Sequence, residues 1–295
     1  MKHAALAVVM SARAALAAGA LPVTLEAAER EALAQRVAEA RVKHPEAFKR
    51  VGALRQGLAH LDRQKRGPLA PVTSWLNGVP DSTWALADAL VFSGEVDPAL
   101  PRTAQVAWQA GLLEALGGRR DVKTEPLLRA ALNAPGLAPP VRRAAADALG
   151  RVGTDGAVEA LTRAAGSFTG ADRLAVLQGM GSCRRLAITA LLAQLLARAT
   201  SEAEQLVLVK ALSVNGNRWA LETPRGAPRP AEVPRLRSAA AGALVRVYVS
   251  SSGRLKTEAR DALRVVEAPD TLVLLAQSRA LDPAGVDALL GVLAR

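Results

Sequence analysis

The apolar residues that close a set of helical stripes recur at nearly constant distance. Leu116, Leu149, Met180, Leu212 and Leu244 are separated by 33, 31, 32 and 32 residues. A small or polar turn follows most of them: Gly117-Gly118-Arg119-Arg120, Gly150-Arg151-Val152-Gly153, Gly181-Ser182-Cys183-Arg184 and Ser213-Val214-Asn215-Gly216. After Leu244 the turn comes later, at Ser250–Gly253. A period in this range is that of stacked two-helix units. One such unit cannot bury its apolar face alone, so its neighbours must cover it. The composition agrees. Half the residues are apolar, yet aromatics make up only 3%, which favours close-packed Ala/Leu helices over a sandwich or barrel. The 17 Pro and 23 Gly suit short helices joined by tight turns.

The clearest unit is PPVRRAAADALGRVGTDGAVEALTRAA, residues 139–165. Pro140 stands at the start of its first helix, where a missing N–H is tolerated. Val141, Ala144, Ala145, Ala148, Leu149 and Val152 make one apolar face, and Arg143, Asp147 and Arg151 the opposite one at i, i+4 spacing. Gly150 and Gly153 permit a sharp turn, and Asp155 is placed to cap the next helix, which turns Val158, Leu161 and Ala165 inward. The segment VRRAAADALGRVGTDGAVEAL resembles the HEAT-like repeat first associated with phycobilisome lyases and widespread in bacterial scaffold proteins. The likeness is close over 139–165, fair over 102–133 and 170–214, and covers about half the chain. It implies an all-α fold, an α-solenoid of two-helix repeats with a concave face used for protein–protein contact. It carries over no catalytic residue and no cofactor, because the shared positions serve packing and turns.

Residues 21–101 form a helical region before the repeats, which run from 102 to 295. Within it, 25–66 reads as a hairpin. Leu33, Val37 and Ala40 share one face, Pro45 ends that pattern, and Val51, Leu54, Leu58 and Leu61 form a second stripe. Arg63-Gln64-Lys65-Arg66-Gly67 closes it. Pro71, Gly78-Val79-Pro80, Gly94 and Pro98 break the stretch that follows into shorter helices. Glu26, Glu29 and Glu31 fit a helix start. At the other end, Val286, Leu289, Leu290 and Leu293 make a last amphipathic stripe. Residues 1–20 have the layout of a secretory signal, with Met1-Lys2-His3, an apolar run from Ala4 to Met10, and Ala18-Gly19-Ala20 as a cleavage site. Arg13 interrupts that layout, and an amphipathic leader helix is the alternative. Export to the periplasm or medium is the reading taken, with the cytoplasm as its rival. No other stretch approaches a membrane span.

The repeat after Leu212 departs from the pattern. Its second helix should begin near 217, but the chain reads NRWALETPRGAPRPAEVPR. Pro224, Pro228, Pro230 and Pro234 cannot share one helix, so a proline-rich loop at 217–234 is expected. Asn215, Asn217, Arg218, Trp219, Arg225 and Arg229 give this loop donors and one large aromatic, the residue types of interface hot spots. The alternative is that Trp219 turns inward to plug the place of the missing helix. The turn arginines Arg119, Arg120, Arg151, Arg184, Arg185 and Arg218 recur at matching points. They would line one edge and hold carboxylates or phosphates, unless each only neutralises the carbonyl end of its own helix.

The formal charge is +11, divided as +2, +6 and +3 over residues 1–100, 101–200 and 201–295. The excess is mostly arginine, with only seven Lys among 38 basic residues, and acidic residues are interspersed. Cys183 is the lone cysteine and is expected in the core, far in sequence from His3, His44 and His60. Trp75, Trp84 and Trp108 are likewise expected in the core. Gly179-Met180-Gly181 follows a helix and lacks a third glycine, so it is not a nucleotide loop. No metal-spaced His or Cys pair and no G-x-S-x-G occurs, so neither metal nor cofactor is implied. The reading is a non-catalytic interaction protein whose partner is a protein with an acidic surface. The alternatives are a nucleic-acid-binding solenoid resembling HEAT-like DNA glycosylases, with Trp219 as a stacking or wedge residue, and a chromophore lyase.

Overall fold

The structure, a computed structural model, describes residues 21–58, 69–93, 100–223 and 229–293. The candidate signal at 1–20, and Leu61, Arg63–Gly67, Gly94, Pro98, Pro224, Arg225 and Pro228, lie outside them. The chain divides into two compact units, Met1–Val152 and Gly153–Arg295. Among the described residues both are wholly helical, with the row-on-row helix stacking of a HEAT-like α-solenoid.

The first unit contains α1 (Ala27–Lys43), α2 (Pro45–Gln56), α3 (Leu69–Asn77), α4 (Thr83–Val91), α5 (Arg102–Arg119), α6 (Glu125–Asn133) and α7 (Pro139–Val152). Leu33, Val37 and Ala40 of α1 are buried as their spacing predicts, and so are Val51 and Leu58. The turn of Gly78-Val79-Pro80 separates α3 from α4, but Pro71 does not break a helix. It sits in the first turn of α3, where no backbone bond is lost. α3, α5 and α7 pack side by side, and α1 and α2 lean on α4. The predicted inner face of α7, from Val141 to Val152, is buried throughout.

The glycines at the end of α5 do different work from that expected. Gly117 is still helical, and a Cβ there would stand 2.4 Å from the Cα of Ala148. The residue is small because the backbones of α5 and α7 touch. The turn itself is made by Arg120, in the left-handed region at φ 53°. Gly153 does fill the turn role expected of it, at φ 67°. Trp108 is core at 2% exposure, but Trp75 is 41% exposed. Val72 and Leu76, four residues apart, already fill the inner face of α3, and Trp75 lies a third of a turn away. Trp84 is half-buried, with the Arg36 guanidinium 5.6 Å from its ring centre.

The second unit contains α8 (Asp155–Ser167), α9 (Gly170–Met180), α10 (Leu186–Arg198), α11 (Glu202–Asn215), the five-residue α12 (Arg218–Glu222), α13 (Val233–Ser250), α14 (Gly253–Val266), α15 (Thr271–Gln277) and α16 (Pro283–Leu293). Two rows form. α9, α11 and α14 make one; α8, α10, α13 and α15 make the other. Counting by period makes α13, with Leu244, the first helix of a new repeat. Packing makes it the second helix of the α11 repeat. α12 is too short to cover the apolar side of α10, so α13 takes that place. Residues 216–232 are therefore an insert between α11 and its true partner, and the row order is preserved across it. Met180, Leu212 and Leu244 are all fully buried. Val286 and Leu289 of the last stripe are buried, and Leu290 and Leu293 half-buried. Among the described residues no helix is long and apolar enough to cross a membrane.

Candidate interaction surface

The arginines singled out from the turns are mostly engaged within the fold. In the first unit, Arg119 at the end of α5 donates through Nη2 to the carbonyls of Leu76 (3.2 Å) and Val79 (2.7 Å) and to Ser82 Oγ (2.9 Å). It caps the carbonyl end of α3, a neighbour, rather than that of its own helix. Arg151 pairs with Asp147 one turn back, at 2.7 Å, and Arg120 is half-buried in its left-handed turn.

This capping recurs. Arg142 is buried and donates to the carbonyls of Leu132 (2.6 Å) and Ala134 (3.3 Å) at the end of α6. Arg173 reaches the carbonyl of Ala165 at the end of α8 (3.1 Å). Arg237 reaches those of Val266 (3.0 Å) and Glu267 at the end of α14. The last four carbonyls of a helix have no partner within it, and a guanidinium offers them several charged donors at once. Arg142, Arg173 and Arg237 were not anticipated. The available signal was an arginine one position off the polar face, as Arg142 stands beside Arg143.

In the second unit the insert gathers the remaining candidates. Asn217 caps α12, its Oδ1 accepting from the Ala220 amide at 3.0 Å. Arg218 pairs with Glu222 at 2.9 Å and with Glu267, which raises its already high pKa. Arg184 donates to the Ala220 carbonyl at 3.3 Å. Leu221 is buried beneath. Trp219 points away. It is 69% exposed, and the Arg218 guanidinium lies 5.6 Å from its ring centre. The inward plug is thus not how this residue sits, since Leu221 supplies the apolar anchor.

Asn215 is the opposite case. It belongs to no loop surface but is fully buried at the end of α11. Its Nδ2 donates to the Cys183 carbonyl at 2.6 Å, and its Oδ1 accepts from Thr189 Oγ1. It ties α11 to the turn before α10.

The other end of the insert meets Asp155. Thr154, not Asp155, caps α8, with its Oγ1 3.0 Å from the Ala157 amide. The Asp155 carboxylate is left for two arginines. Arg185 approaches it at 2.7 Å and Arg229 at 2.9 Å. Hydrogen bonding from Arg185 first, then the charge of Arg229, holds Asp155 below the usual carboxylate range. Arg185 itself is buried, and also donates to the Gly153 carbonyl at 2.8 Å. Glu232 completes the group by accepting from the Leu186 amide at 2.9 Å. Burial pushes its pKa up, but that amide and the Arg185 and Arg229 charges outweigh it and leave the carboxyl below its ordinary value. Arg184, Arg185, Asn217, Arg218, Trp219 and Arg229 are therefore brought together through one insert. Arg119, Arg120 and Arg151 belong to the other unit.

Cys183 is buried, and burial pushes its thiol up to about 12. A thiol so held presents almost no thiolate at neutral pH. Ellman's reagent should leave native protein unlabelled and react with one thiol per chain after denaturation. Among the described residues no group of three or more His, Cys, Asp or Glu gathers as metal ligands would.

Comparison with protein families agrees with this architecture over part of the chain. Residues 99–181 match the family of HEAT repeats, and that stretch is a HEAT-repeat segment; nothing in the match singles out the phycobilisome-lyase kind. A solved structure of human deoxyhypusine hydroxylase in complex with glycerol is similar at 17% identity, with a TM-score of 0.34, over 86% of this chain and 97% of that one. A likeness that slight bears on neither mechanism nor ligand. No curated protein matches.

Proposed function

We propose that this protein is a repeat scaffold that holds a protein partner, and that the insert carrying Trp219 is its contact surface. HEAT repeats supply the scaffold. The observation that carries the reading is the exposure of Trp219 on a helix anchored from below by Leu221 and at its start by Asn217. A large aromatic on an anchored helix loses less backbone entropy on binding than one on a free loop, which favours it as a hot-spot residue. The chain's charge of +11 favours a partner with an acidic surface. Arg184, Arg185, Arg218 and Arg229 are each engaged with carbonyls or carboxylates of the chain itself, so few of these guanidiniums are left for nucleic-acid phosphates.

The test is affinity capture with intact protein and with Trp219→Ala. The substitution removes an exposed side chain, so the circular dichroism and melting of the protein should not change. Recovery of the bound partner should fall by at least about tenfold, as loss of a hot-spot aromatic implies. Unchanged recovery would sink the reading.

A further inference from the structure

The two ends of the insert are fastened by different forces. α12 is held by burial of Leu221, a capped first turn and the carbonyl contact from Arg184. The short 3-10 turn Pro230–Glu232 buries no residue. Its fastening to α8 and α10 is polar: Arg229 on Asp155, Glu232 on the Leu186 amide, and Glu232 3.5 Å from Arg185. Of these, the Arg229–Asp155 pair is well exposed, at 49% and 71% of the two side chains. Exposed ion pairs are weak and are screened by salt.

We propose that Arg229 and Glu232 form an ionic clasp that opens as a local unit while the helix rows stay folded. Opening removes the acceptor from the Leu186 amide and bares one side of Arg185, whose side chain is 6% exposed in the closed state. Leu186 opens α10, and a first-turn amide has no acceptor inside its own helix. Its exchange with solvent therefore reports directly on Glu232. No apolar surface is uncovered from the turn itself when the clasp opens, so the step is far easier than separating the rows, where Leu208 and Leu212 are fully buried. The inference is independent of Trp219, because α12 has its own anchors.

Amide hydrogen exchange of the full chain, read residue by residue by NMR, is the test. Glu232→Gln keeps the shape of the side chain but not its charge, and Arg229→Ala removes the second arginine from Asp155. Glu232→Gln should speed exchange at Leu186 by at least about tenfold, the effect of losing a charge-assisted hydrogen bond, and Arg229→Ala by about two- to fivefold, the effect of losing an exposed ion pair. Raising salt to about 1 M should do the same in the intact protein. Exchange at Leu208 and Leu212 should stay as it was. If Leu186 is indifferent to both substitutions, no such clasp exists. If Leu208 and Leu212 accelerate in step with Leu186, the turn is an ordinary part of the global fold and the proposal fails.

Discussion

Gly117→Ala should destabilise the first unit by about 3 kcal/mol, the upper part of the range for overpacking a close-packed contact. The new methyl would meet the Cα of Ala148 at 2.4 Å and its Cβ at 2.8 Å. Neither is the free end of a flexible side chain. Relief requires α5 and α7 to separate, and they share the most intimate packing of that unit, with Leu112, Leu113, Leu116, Val141, Ala145 and Leu149 nearly or fully buried. Propensity alone predicts the reverse, since Ala is favoured over Gly inside a helix by about 1 kcal/mol. The sign of the change therefore separates close backbone approach from turn flexibility as the reason for glycine here. For a unit of 152 residues the loss corresponds to a fall in melting temperature of about 10 °C. Fluorescence of Trp108, buried on α5, would follow it. A melting temperature equal to or above that of the unaltered protein would refute the argument.

Asn215→Ala is expected to be of similar size in the second unit, about 3 kcal/mol, for a different reason. It deletes a donor to the Cys183 carbonyl and an acceptor for the Thr189 hydroxyl, both inside the protein. Buried groups left unpaired cost about 1–3 kcal/mol each, and a small cavity adds to that. Part of the loss is recovered, because Thr189 Oγ1 can turn to the Arg185 carbonyl at 3.2 Å. The measurement is denaturant unfolding followed by circular dichroism, with thiol labelling alongside. As the turn holding Cys183 loosens, labelling of that thiol should quicken before the helices melt. Stability within experimental error of the unaltered protein would show that water or a neighbour replaces both bonds.

These two residues show what periodicity can and cannot reveal. Spacing placed the buried face of α7, and the buried Leu212 of α11 and Leu244 of α13, correctly, because burial of one helical stripe is a property of the local pattern. It could not distinguish Gly117 from a turn glycine, since the reason lies in Ala148, thirty-one residues away. Nor could it separate Asn215 from Asn217. Both follow the same apolar run, yet one faces the core and the other caps α12. The prolines ruled out one continuous helix across 217–234, but gave no sign of α12 or that α13, beginning at Val233, would take the second-helix place. That depends on which apolar face of α10 remains uncovered, a tertiary condition. The arginines were legible as a recurring set. Their partners were not, because backbone carbonyls leave no mark in a sequence. Trp219 was ambiguous for a similar reason: only the neighbouring Leu221, buried in its place, decides which way the tryptophan points.

The row order of the second unit runs on unbroken past residues 216–232. That makes the junction between α11 and α13 a socket. Each doubling of a flexible connection adds only about 0.6 kcal/mol of closure entropy, so what is spliced there can change in length and chemistry while the rows beneath keep their register. A cassette of foreign sequence, or a shortened one, is best received at this junction, and a surface of new specificity can be written there without rewriting the core.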